Sequence, residues 1–238
     1  MQAFGHFTCK KKLVYRTQTY LYINPKGHVL SLEAFEALLT ENNSIAGTIM
    51  LFHPGNSAPL SCEMTTSLLE QNFDFTTSFS ELHLDKSLLA FDGLLKAYEG
   101  KLIEVKTLFN YNEANLQRKN ALVKFDTDLQ GSKVNFDASN YNFSKKITFK
   151  GDFIFFAWGE KFDEVAFPHI YAYASGIYKV ATQQCPNIAF IHNPNLTPEE
   201  SAAILHFAQP LGSGDLKNKL PKALKKAFKT NPPKSVGW

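Results

Sequence analysis

Cysteine is scarce in this chain. Three residues in 238, Cys9, Cys62 and Cys185, are widely spaced and odd in number. That excludes a disulfide framework and leaves no cysteine spacing suited to zinc. Long apolar runs are missing too. No uninterrupted stretch approaches the roughly 18 residues needed to span a bilayer. The start of the chain, with Cys9-Lys10-Lys11-Lys12 followed by polar residues, lacks the apolar segment of a secretory signal. These absences point to a cytoplasmic protein that does not enter a membrane; no cofactor is expected.

Acidic residues are absent from one region. All 22 of them lie at or before Asp215. The remainder carries Lys217, Lys219, Lys222, Lys225, Lys226, Lys229 and Lys234 with no acid. The rest of the chain holds 18 basic residues against 22 acidic, so a mildly acidic body is joined to a strongly basic end. Such an end suits phosphate backbones. The alternative is a solvated terminal helix.

What is present is the material of one large domain. The chain is 44% hydrophobic, 20% charged and unusually rich in phenylalanine, with 21 residues. Its organising stretch is Thr48-Ile49-Met50-Leu51-Phe52-His53-Pro54-Gly55-Asn56-Ser57, an apolar run stopped by a polar, breaker-rich turn. That pattern predicts a buried strand at about 47–53 running into a loop. Loops at the carboxyl ends of parallel strands are where open α/β sheets place their chemistry.

Around it, strands and helices alternate. Residues 13–23 have strand composition, 24–27 form a turn, and 31–39 read as a helix with Ser31 as N-cap. Residues 87–98 carry apolar residues at helical spacing up to Gly100. Strands follow at 103–109, 153–158 and 188–191. A polar insertion or loop covers 124–150, and a helix covers 165–182. Thr197-Pro198-Glu199-Glu200 opens another helix with a cap, a first-turn proline and early acids. No internal repeat is visible. The expected fold is a three-layer α/β/α sandwich with a central, largely parallel sheet. The expected organisation is a 1–44 N-terminal extension, a 45–212 α/β domain and a 213–238 basic tail.

Four predicted strands end in polar residues, His53, Asn110, Gly159 and His192-Asn193, that could share one crevice. On these residues the chain resembles the uracil-DNA-glycosylase superfamily, and more loosely its mismatch-specific branch, over roughly residues 45–210. Phe52-His53-Pro54-Gly55 falls where that superfamily has an Asn-Pro-Gly or Asp-Pro loop. Val105-Lys106-Thr107-Leu108-Phe109-Asn110 is similar to the strand whose terminal Asn reads a flipped pyrimidine. Phe155-Phe156-Ala157-Trp158-Gly159 resembles a Leu-Leu-Trp-Gly strand, and His192-Asn193-Pro194-Asn195-Leu196-Thr197 a closing His-Pro or Asn-Pro loop.

The resemblance implies a monofunctional DNA glycosylase of the same fold. It would flip out uracil or a modified cytosine, such as glucosylated hydroxymethylcytosine of phage DNA, and hydrolyse the base from deoxyribose. His53 stands where the family positions the attacking water, a departure from Asp or Asn. A protonated imidazole there would repel the oxocarbenium-like sugar. Asp74 is a second candidate for activating water, and His192 for holding the departing base oxygen. Asn110, Asn193, Gly55 and Asn56 would line the base pocket, and Phe75 would stack on the base. Leu196 and Asn195 would enter the DNA stack, with Lys222, Lys225, Lys226 and Lys229 on the backbone. Each has a structural alternative: local hydrogen bonding for His53, a strand-end cap for Asn110, core packing for Phe75. His53 and His192 lack a clear third ligand, so no metal is expected. DNA is the expected partner and a monomer the expected state. A catalytically inactive nucleic-acid-binding protein and a nucleoside or nucleotide hydrolase are the alternatives.

Overall fold

The computed structural model describes residues 1–10, 13–26, 28–41, 43–52, 75–108, 123, 125–127, 129–130, 147–159, 164–211 and 214–238. The chain opens with two strands, β1 (Gln2–Lys10) and β2 (Leu13–Tyr22), paired antiparallel from Gln2↔Tyr22 to Lys10↔Leu13. Helix α1 (Leu32–Thr40) follows. Ser31 caps it, its hydroxyl accepting from the Ala34 amide. The organising strand β3 (Ile45–Leu51) comes next, buried at all but one position. Then come β4 (Phe75–Glu81), a single helical turn α2 (Lys86–Leu89), a 3-10 turn (Lys96–Tyr98) and β5 (Leu102–Thr107).

Helical residues between 123 and 130 precede β6 (Ile154–Ala157), an all-buried strand. The 17-residue helix α3 (Pro168–Gln184) leads to β7 (Ile188–His192). The chain closes with α4 (Pro198–Ala203), a 3-10 turn (Gly214–Leu216), α5 (Lys219–Ala227) and the short strand β8 (Val236–Gly237).

Among the described residues the eight strands join one sheet in the order β4-β1-β2-β5-β3-β6-β7-β8. From β5 to β8 every pairing is parallel; from β4 to β5 every pairing is antiparallel. The architecture is therefore α/β, with a mixed, mostly parallel sheet between helices.

Two apolar layers coat the sheet. On one face Ile49, Leu51, Phe153 and Phe155 pack with Leu88, Phe91 and Tyr98 and with Leu220 and Leu224 of α5. On the other, Met50, Phe156, Trp158 and Phe190 pack under α3 through Ile170, Ala174 and Ile177. Further along that side Phe4, Tyr20 and Tyr22 meet Phe35 of α1. Phe4 and Phe35 lie stacked with centroids 4.2 Å apart. The alternation along β6 (Ile154 and Phe156 to one layer, Phe155 and Ala157 to the other) explains its uninterrupted apolar sequence.

Several expectations change. The apolar spacing over 87–98 does not make one helix. The helix ends at Leu89, and the chain turns through Gly93 at φ 72, a left-handed position that a glycine takes without Cβ strain. Helix α3 starts at Pro168 rather than 165, because the proline ring suits the first helical position. The 124–150 stretch is not wholly loop: Phe125 and Leu129 are buried under α3. Residues 2–10, with no predicted element, form a strand central enough to pair on both sides. The basic end is part of the packed structure, with Leu220, Ala223, Leu224 and Ala227 buried and β8 paired to β7.

Candidate functional site

The parallel strands place their carboxyl ends on one rim in the order β5-β3-β6-β7. The registers keep those ends level: Leu51 pairs with Thr107 on one side and with Ala157 on the other. After β3 the chain leaves towards β4 and β5, whereas after β6 it leaves towards β7. The point where connections diverge, between β3 and β6, is where open α/β sheets leave a crevice for ligands. The residues that end the two strands there are Leu51 and Phe52 on one side, and Ala157, Trp158 and Gly159 on the other.

The rest of the rim is closed by main-chain bonds. The Leu108 amide donates to the carbonyls of Leu51 and Phe52, at 2.9 and 3.1 Å, keeping β3 and β5 joined to their ends. Strands β6 and β7 stop pairing at Phe156↔Phe190. The gap beyond is filled by the segment after α4, in which the Gly159 amide donates to the Phe207 carbonyl and the Ala208 amide to the Ile191 carbonyl, 2.6 and 2.8 Å. Trp158, fully buried, donates its Nε1–H to the Leu205 carbonyl at 3.0 Å and lies against Phe156 and Phe207. The indole thus ties this filler to the end of β6.

His192 ends β7 and is 8% exposed. Its Nδ1 lies 3.0 Å from the Asn193 carbonyl, which only accepts, so Nδ1 carries the proton and a neutral ring keeps Nε2 as an acceptor. The Trp238 amide donates to the His192 carbonyl at 3.2 Å, and Phe190 meets the ring edge-on. The following loop is held by its own side chains. Asn193 Oδ1 accepts from the Asn195 amide, leaving the amide N–H2 group as the part of Asn193 that can serve a ligand. Thr197 and Glu200 complete a reciprocal capping box at the start of α4. Asn195 is exposed and Leu196 half-buried.

Sequence reasoning missed a pair on the same rim. Asp126 lies under the first turn of α3. Its Oδ1 accepts the amides of His169 and Ile170, at 3.0 and 2.9 Å, and its Oδ2 lies 3.0 Å from His169 Nδ1. The carboxylate thereby caps a helix whose own N-cap residue, Phe167, offers no side-chain bond. The signal available was Pro168, which marks the helix start and so puts His169 in the first turn. Its partner, 43 residues away in the chain, carried none.

The other expected residues distribute as follows. His53, Gly55, Asn56, Asp74 and Asn110 lie outside the described residues. Phe75 begins β4, the edge strand four places from β3. Lys222, Lys225, Lys226 and Lys229 are all exposed on and just after α5. Asn231, two residues beyond Lys229, lines a groove of about 850 Å³ at the opposite end of the sheet with Ser44, Lys101, Lys150 and Asp152. Among the described residues no group of three or more His, Cys, Asp or Glu side chains is arranged to hold a metal ion. None of their helices is long and apolar enough to cross a membrane.

The described residues form an α/β protein with a mixed, mostly parallel sheet flanked by helices. No family model matches the chain, and no match to it is found among curated proteins or solved structures.

Proposed function

We propose that this protein is a monofunctional DNA glycosylase of the uracil-DNA-glycosylase type. It would excise a non-standard pyrimidine, uracil or a modified cytosine, and leave an abasic site. One observation carries this reading. Strands β5-β3-β6-β7, to whose ends the sequence assigns the polar candidates, are consecutive neighbours, all parallel, with the carboxyl ends of their described residues on one rim. A flipped base entering the crevice between β3 and β6 would meet the loops after all four.

In this reading water attacks C1′ while the base departs from an oxocarbenium-like sugar. The rim's task is to orient the water and to hold the base as negative charge grows on it. Nε2 of His192 accepts in the neutral ring, so donation to a base oxygen requires the protonated ring. The amide N–H2 of Asn193 donates in any state. His53, placed by the sequence at the end of β3, is the candidate for positioning water. The exposed lysines of α5 supply a sequence-independent hold on the phosphate backbone. Neither a cofactor nor a second subunit enters this chemistry.

The alternative of a free nucleoside or nucleotide hydrolase is favoured by one observation: Asn231, two residues past Lys229, lines the groove at the opposite end of the sheet. Truncating the basic end would strip Leu220 and Leu224 from the core, so the discriminating variant is Lys222→Gln, Lys225→Gln, Lys226→Gln. A DNA enzyme should lose about 0.9 of logarithmic salt slope per phosphate contact removed from duplex DNA. A nucleoside hydrolase should keep its turnover unchanged. The activity itself is tested by base release from DNAs holding uracil, thymine mismatches, hydroxymethylcytosine or its glucoside, read by alkaline cleavage at abasic sites. Release from one member, abolished in His53→Ala, is expected. Binding without release from any member would move the assignment to an inactive DNA-binding protein.

A further inference from the structure

We infer that Asp126 and His169 form the general-base pair of this reaction, with His169 taking the proton from the attacking water and Asp126 as its positioning residue. The inference rests on the glycosylase reading and adds to it a group that the resemblance does not supply.

Position comes first. Helix α3 follows β6, and its last residue, Gln184, bonds Ile147 and Phe149 just before β6 begins. The far end of α3, with His169 as its second residue, therefore stands at the carboxyl rim beside the end of β6. The side chain of His169 is 40% exposed, whereas that of Asp126 is 15% exposed. A carboxylate held from behind by two backbone amides and a ring with one open edge is the arrangement of a base oriented by a third group. Asp126 Oδ2 only accepts, so Nδ1 carries the proton, and in the neutral ring Nε2 is the acceptor, on the edge facing away from the carboxylate.

The chemistry gives the pair an advantage over a lone histidine. In the step proposed, the water oxygen bonds to C1′ and the C1′–N bond breaks, its electron pair leaving with the base. One water proton passes to His169 Nε2. That proton then returns through solvent to the departed base anion, so the products are the sugar hemiacetal and the neutral base. A single imidazole taking up this proton becomes a cation next to an oxocarbenium-like sugar. The Asp126–His169 pair instead goes from one negative charge to none, and no repulsive charge is created beside the transition state.

A capping role alone makes a different prediction from a catalytic one, and Asp126→Asn separates them. The Asn oxygen can still accept the His169 and Ile170 amides, so the cap survives. Its N–H2 group, however, faces Nδ1 and forces the ring proton to Nε2, which can then no longer accept. On whichever DNA the wild-type protein cleaves, His169→Ala and Asp126→Asn are each expected to lower kcat by about 100-fold or more, the usual scale of general-base catalysis. KM should stay within about three-fold and the melting temperature of Asp126→Asn close to wild type. Wild-type release with kcat kept within about three-fold in both variants would overturn the pair and leave the glycosylase reading standing. Loss in His169→Ala with full kcat in Asp126→Asn would equally overturn it. A wild-type protein that releases base from no DNA would overturn the reading, and the pair with it.

Discussion

The two rims of one sheet differ in how their polar groups are used. At the amino end, polar side chains in and around the groove between the starts of β3, β5 and β6 are committed to main chain. Thr48 donates to the Lys150 carbonyl, Lys101 to the Asn43 carbonyl and Asn187 to the Asp152 carbonyl. Gly151, at φ 85, brings its backbone so close to Ala46 and Gly47 that a Cβ would lie 2.3 Å from both. These contacts tie strand beginnings together. At the carboxyl end the carboxylate of Asp126 and the carbonyl of Asn193 each fix one edge of a histidine and leave the other nitrogen as an acceptor. A polar side chain that bonds backbone on every side serves the fold. One held from a single side retains a group for a ligand.

The largest structural effect expected at the carboxyl rim comes from Trp158→Ala. It removes a fully buried indole, its bond to the Leu205 carbonyl and the contact holding the 206–208 filler between β6 and β7. Truncations of buried aromatics cost about 3–5 kcal/mol. Urea denaturation should show a loss in that range, and a loss below about 1 kcal/mol would show that the filler stands without the indole.

At the amino rim the expected effect is smaller and of opposite sign. Tyr98 is 7% exposed, and its hydroxyl is buried with no hydrogen-bond partner among the described residues. Tyr98→Phe removes that unpaired group and should stabilise the protein by about 1 kcal/mol at neutral pH. Its pH dependence sharpens the test. Burial, with the nearby Asp152 charge, pushes Tyr98 up from 10.0 to about 12. Between those values the unfolded chain releases this proton while the folded one keeps it, so stability falls as pH rises through the window. Burial pushes Tyr20 and Tyr173 the same way. Arg16, lowered by burial to about 10, acts in the opposite direction and offsets part of the fall. Denaturation midpoints between pH 9 and 11 should decline less steeply in Tyr98→Phe than in wild type. Equal slopes would mean that Tyr98 ionises alike in both states.

Local signals carried much of the fold. Ser31 and the Thr197-Pro198-Glu199-Glu200 box mark helix starts because a cap satisfies amides within its own turn. The apolar runs ending at Phe52 and Trp158 mark parallel strands because both faces are covered. Where the cause is tertiary, the sequence is silent. Strand β1 buries Ala3 and Phe4 in different layers, so it shows no clean alternation. The Gly159–Phe207 bridge depends on a gap between β6 and β7 that no local pattern announces. The Asp126–His169 pair is likewise a product of packing α3 against the 123–130 segment, through Phe125 on Tyr173 among others. The place of His192 at the end of β7, with Asn193 opening the loop, is legible because a strand end and an Asn-Pro turn coincide there.

The most direct measurement is base release by variants of the two rims, compared on the same DNA under the same salt. One protein carries His192→Ala at the carboxyl rim; the other carries Lys101→Ala and Lys150→Ala at the amino groove. Release lost or slowed at least about ten-fold in the first, and unchanged in the second, is the expected result. Unchanged release by His192→Ala together with loss in the lysine variant would contradict the assignment and move the chemistry to the opposite end of the sheet.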